Sequence, residues 1–92
     1  MKQEKIKYHI IIDLGFTEEI VKDETYFKQF GYDYCIINFN LTDKIYLEWT
    51  KETQLCELIR VDDPKKGNIL KRIPVNNIEE LKYIIDFFTD KE

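Results

Sequence analysis

The chain has 92 residues, a net charge of −4, 43% hydrophobic and 14% aromatic residues, which is enough for one domain with one modest core and too apolar for a disordered chain. Its basic residues are twelve Lys and only two Arg, Arg60 and Arg72; a nucleic-acid binder, which draws on a basic face and bidentate Arg, is not expected. Apolar runs such as Ile10-Ile11-Ile12 are far short of the roughly 20 residues that span a membrane, and no signal-type apolar stretch follows Met1-Lys2-Gln3-Glu4-Lys5. A cytoplasmic chain is therefore expected, with free thiols and no membrane partner. Asn40-Leu41-Thr42 matches a glycosylation acceptor, a match that means nothing without secretion.

Ile is the commonest residue, with fourteen copies, and Ile, Val, Tyr and Phe favour strands. Residues 3–14 read two ways. Lys5-Ile6-Lys7-Tyr8-His9-Ile10 alternates as a half-buried strand does, yet Ile6, Ile10 and Leu14 stand four apart as on a helix. Leu14-Gly15-Phe16 resembles a helix stop, with Gly at the left-handed position and an apolar residue packing back. Two short strands are expected near 16–22 and 25–30, with Asp23-Glu24 turning between them. Over 33–41, Cys35, Ile37, Phe39 and Leu41 share one face, and Tyr34, Ile36, Asn38 and Asn40 the other. Thr42-Asp43 makes a turn, then Ile45, Leu47 and Trp49 alternate with Tyr46, Glu48 and Thr50. After a turn at Lys51-Glu52-Thr53, residues 55–61 and 69–75 pair across Asp62-Asp63-Pro64-Lys65-Lys66-Gly67. Pro64 presets φ at the second position of a type I turn, and Gly67 can take positive φ after it. Such short links make every pairing antiparallel.

Residues 77–88 predict a helix. Asn76 or Asn77 can cap it, and Glu79 and Glu80 suit the positive end of its dipole. Ile78, Leu81, Ile84, Ile85 and Phe88 fall within an arc of about 120° that should lie on the sheet. The expected fold is thus α+β: an antiparallel meander of five or six strands over 1–92, with the C-terminal helix packed on one face. The helix is expected to cover one face and the N-terminal segment the other.

Catalytic chemistry has little to draw on. Most enzyme sites converge His, Cys, Ser, Asp, Glu or Lys, and this chain has one His (His9) and no Ser. His9 with Asp13 makes at most half a metal site. Gly15, Gly31 and Gly67 stand too far apart for a phosphate loop, so neither metal nor cofactor is expected. Cys35 and Cys56 lack Cys-x-x-Cys spacing and read as inert thiols. The carboxylate pairs Glu18-Glu19, Asp23-Glu24, Asp62-Asp63 and Glu79-Glu80 are sequence neighbours, which point different ways.

Aromatic density is the feature left over. Tyr26, Phe27, Phe30, Tyr32 and Tyr34 crowd nine residues, and aromatics combine apolar area with a polar tip at binding surfaces. Tyr34 and Tyr46 are expected on one sheet face. Tyr83 and Phe87 stand at i, i+4 outside the main apolar arc of the helix. These four, Tyr34, Tyr46, Tyr83 and Phe87, are the candidate protein-contact residues.

Asp13-Leu14-Gly15-Phe16, Tyr32-Asp33 with the strands after it, and Asn77-Ile78-Glu79-Glu80-Leu81-Lys82-Tyr83-Ile84-Ile85 resemble small proteins without assigned activity carried by phages and mobile elements of low-GC bacteria. The resemblance implies an antiparallel sheet with a terminal helix, and it transfers no catalytic residue. The expected function is a non-catalytic protein-binding accessory or inhibitory module whose partner is a host protein or a second copy. The alternatives are a small enzyme or ligand-binding protein with a pocket between helix and sheet, and an obligate homodimer.

Overall fold

The computed structural model describes residues 2–66 and 68–89. The order is α1 (Tyr8–Asp13), β1 (Thr17–Val21), α2 (Glu24–Phe30), β2 (Tyr34–Asn40), β3 (Ile45–Thr50), β4 (Leu55–Val61), β5 (Ile69–Val75) and α3 (Ile78–Thr89). The five strands form one antiparallel sheet in the order β1-β2-β3-β4-β5, so each strand pairs with its neighbour in sequence. This is the α+β meander with a C-terminal helix that the alternation predicted.

Two local expectations are settled or overturned. Residues 25–30 are helix, not strand: α2 occupies them. Asp23 accepts a hydrogen bond from the Tyr26 amide at 3.0 Å and caps the helix, and Gly31 ends it at φ +82°. Those two end signals outweigh the strand preference of the aromatics between them. In residues 3–14 the helix is confined to α1, and residues 2–7 precede it without regular structure. Gly15 follows at φ +107°, the left-handed residue expected of the stop.

Turn chemistry sets the register. Thr42 Oγ1 accepts from the Lys44 and Ile45 amides, closing the β2–β3 turn. At the β4–β5 turn Asp63 accepts from the Lys65 amide through its side chain and from the Lys66 amide through its carbonyl, around Pro64. Gly67, expected to take positive φ there, lies outside the described residues. Asn77 caps α3 by accepting from the Glu80 amide at 2.8 Å, and the Glu80 side chain reaches back to the Asn76 amide.

Both α3 and the N-terminal segment pack on the same face of the sheet, against the expectation that they divide the two faces. Ile6, Ile11 and Phe16 join Leu81 and Ile85 of α3 over Ile37, Leu47, Trp49, Cys56 and Val75. The segment is tied down by polar bonds as well as by burial. The Trp49 indole Nε1 donates to the Ile6 carbonyl at 2.8 Å, Gln3 Nε2 donates to the Cys56 carbonyl at 2.7 Å, and the Ile6 amide donates to the Gln54 carbonyl. These bonds satisfy backbone groups that a covering strandless segment would otherwise bury unpaired.

The opposite, open face carries Asn38, Asn40, Tyr46, Glu48, Glu57 and Arg72 in register. Among the described residues no helix covers its centre, yet Ile59 there is fully buried. Its register neighbours Tyr46 and Arg72 flank it. Arg72 holds Glu57 at 2.9 Å and Glu48 at 3.5 Å, so the long side chain lies along the sheet and shields apolar surface with its stem.

Candidate protein-contact surface

The aromatic crowd of residues 26–34 becomes a platform because α2 gathers it. Tyr26 and Phe30 stand one turn apart on α2, with ring centroids 4.5 Å apart. The chain then leaves α2 through Gly31 and brings Tyr32 and Tyr34 back alongside: Tyr26 meets Tyr32 at 5.8 Å and Tyr34 at 5.0 Å, both edge to face. Tyr26 is the hub and is half-buried, while Phe27, Phe30, Tyr32 and Tyr34 remain exposed, Phe27 by 51%.

Glu52, from the β3–β4 turn, anchors the platform. The Tyr26 hydroxyl donates to Glu52 Oε1 at 2.5 Å and the Tyr32 hydroxyl donates to the same oxygen at 3.1 Å. The Tyr26 hydrogen bond is the main cause that holds the Glu52 carboxyl below its usual pKa, and the same bond pushes the Tyr26 phenol above its own. Beside the platform, Ile20, Tyr32, Asp33, Cys35, Lys51 and Glu52 line an open cleft. A second tyrosine–carboxylate bond lies on the helix face, where the Tyr8 hydroxyl donates to Glu18. It lowers the Glu18 carboxyl, and Lys51 stands 3.9 Å from that carboxylate.

Of the four residues singled out from sequence, Tyr34 lies within this platform. Tyr46 shares the open face with it, as the alternation predicted, and is half-buried; its phenol is pushed up by burial first, with a smaller contribution from Tyr34. Tyr83 and Phe87 lie apart from both, on α3, which packs on the other face. Their rings stack at 6.4 Å, and Phe87 also meets Phe88 edge-on at 5.3 Å. Tyr83 is 70% exposed and Phe87 55%. The candidates thus form two surfaces. Glu52 was missed by sequence reading, since a turn residue announces nothing of a partner 26 positions away. The helical spacing of Tyr26 and Phe30, between Asp23 and Gly31, was the signal that could have found the platform.

Tyr8, Glu18, Cys35 and Lys51 meet on the helix face, whereas His9 and Cys56 stand apart from that group. His9 is exposed on α1 and makes no ion pair with a described residue. Cys35 and Cys56 are both free, and burial raises both thiols, Cys56 to about 12. Among the described residues no three His, Cys, Asp or Glu side chains are placed to hold a metal ion, and no helix is long and apolar enough to cross a membrane. Comparison with protein-family models, with curated proteins and with solved structures finds no match to this chain.

Proposed function

We propose that the chain is a non-catalytic protein-binding module that meets its partner through the α2 platform. One observation carries the reading: three aromatic rings, Phe30, Tyr32 and Tyr34, stay exposed around a hub, Tyr26, that two elements hold in place. Contiguous exposed aromatic surface marks interaction sites, because its burial supplies apolar area at little cost in side-chain entropy. Fixing the rings through Glu52 lowers that cost further, since less motion is lost on binding. The setting, an accessory or inhibitory protein of a phage or mobile element acting on a host protein, rests on the sequence resemblance.

The stacked Tyr83 and Phe87 on α3 favour a second contact surface. Quantitative affinity capture from the native host separates the two. A Phe27→Glu, Phe30→Lys variant is compared with a Tyr83→Lys, Phe87→Glu variant and with the parent chain, each checked for folding by circular dichroism. The α2 variant should lose a partner that the parent and the α3 variant hold in stoichiometric amount. Retention of that partner by the α2 variant, with loss by the α3 variant, would move the contact to α3. A parent chain that captures no protein in stoichiometric amount overturns the reading.

A further inference from the structure

We infer that copies of this chain associate with one another by antiparallel pairing of β5 of one copy with β1 of the next. This stands independently of the α2 platform. The sheet is open, so β1 and β5 are its two edges, and an edge strand presents unpaired backbone N–H and C=O groups to any strand that fits. Among the described residues neither edge is covered: all of β1 but Val21 and all of β5 but Val75 are exposed.

The two edges match at four positions, 17–20 of β1 against 70–73 of β5. Laid antiparallel, Glu19 stands opposite Lys71; Glu18 stands opposite Arg72, and these two are already bonded within their own copy. In the same register Ile20 meets Leu70 and Thr17 meets Ile73; the bulge turns Ile69 away from Val21. Opposite charges and apolar pairs across strands are the unit of sheet stabilisation. The apolar members are unusually open for strand residues, with Ile20 59% and Leu70 57% exposed. Pro74, which has no N–H to donate, falls just outside the four matched positions. The bulge at Arg60/Val61 leaves Leu70 without a partner in β4.

Facing also agrees. Lys71 pairs with Arg60 and lies on the helix face, whereas Glu19 pairs with Ile36 and lies on the open face. β1 and β5 run in the same direction within one copy, so antiparallel pairing needs a half-turn about the axis across the strands. That half-turn exchanges the faces and puts Lys71 and the next copy's Glu19 on one side. Neither residue has an ion-pair partner among the described residues, and Lys71 sits directly opposite Arg60, a like charge that an added carboxylate relieves.

Charges on edge strands commonly serve to keep edges apart. Here each edge carries one sign, so β1 against β1 sets Glu against Glu, and β5 against β5 sets Lys and Arg together. That arrangement blocks like edges and leaves the unlike edges free to meet. The contact is heterologous, so it builds rings or open chains rather than a closed twofold dimer.

Sedimentation and light scattering of the parent chain between about 10 µM and 1 mM test this. The expected result is a mass that grows with concentration and falls back at high salt, where exposed charges are screened. Glu19→Lys and Lys71→Glu should each weaken association at least about tenfold, because each sets like charges across the contact. The double variant Glu19→Lys, Lys71→Glu should restore it, as should mixing the two single variants. A parent chain that stays monomeric throughout, single variants that assemble like the parent, or a double variant that remains monomeric would each overturn the inference.

Discussion

Glu52 holds the platform through a single carboxylate oxygen, so protonating Glu52 at low pH and deprotonating Tyr26 at high pH should each loosen it. Its carboxyl is depressed in the folded chain, chiefly by the Tyr26 hydrogen bond. Its contribution to stability is therefore present above the ordinary carboxyl value of 4.5 and lost as pH falls through the lower folded value. Tyr26 is raised, chiefly by the same bond. Its contribution is present below the ordinary phenol value of 10.0 and lost as pH rises through the higher folded one. Thermal midpoints by circular dichroism should fall at both ends, with Glu52→Gln flattening the acid limb and Tyr26→Phe the alkaline limb. Parallel pH profiles for the parent and both variants would show that the bond contributes nothing. The thiols give a second residue-scale test. Cys56 is fully buried with a pKa pushed up to about 12, while Cys35 is half-buried. Mass spectrometry after alkylation of the folded chain should find Cys35 modified first, and Cys56 only at the rate of opening. Faster modification of Cys56 would contradict its burial.

At the scale of elements, α3 and the N-terminal segment lie over the same sheet face, so each depends on the other's cover. Leu81 is fully buried at the centre of that layer. Leu81→Ala should cost about 2–5 kcal/mol, a large part of a typical stability of about 5–15 kcal/mol. Deleting residues 77–92 should abolish cooperative melting, and a truncated chain that melts near the parent temperature would show the layer is dispensable. Trp49 links sheet to segment through its indole N–H to the Ile6 carbonyl. Trp49→Phe keeps most of the apolar volume but orphans that buried carbonyl, at about 1–3 kcal/mol. For a domain of this size the melting temperature should drop by about 4–8 °C per kcal/mol. The change should appear as faster hydrogen exchange at the Ile6 amide, which bonds the Gln54 carbonyl. Unchanged exchange there would separate the segment from Trp49.

Over the whole molecule, the meander, the helix and the faces of β2 and β3 were legible because they rest on local rules. Alternation with period two assigns Ile37, Leu47 and Trp49 to one side whatever packs there. Thr42, Pro64, Gly15 and Asn77 end or begin elements through bonds and dihedral limits reaching only a few residues. Even the edge charges of β1 and β5 are visible in the sequence, although only the sheet order reveals that these strands are the two edges. Residues 25–30 misled because aromatic content favours a strand, while the helix follows from Asp23 and Gly31 at its ends. The distribution of cover could not be read from sequence at all. An amphipathic helix and an apolar N-terminal segment each need a face to bury, and nothing local says whether they take one face or two. Tertiary packing decided it, because one continuous core, sealed by the Gln3, Ile6 and Trp49 bonds, excludes water better than two thin layers across a small sheet. The same choice left Tyr34 and Tyr46 on the open face, and the fold over Gly31 brought Glu52 beneath Tyr26. Those contacts join residues far apart in the chain, and only the closed structure brings them together.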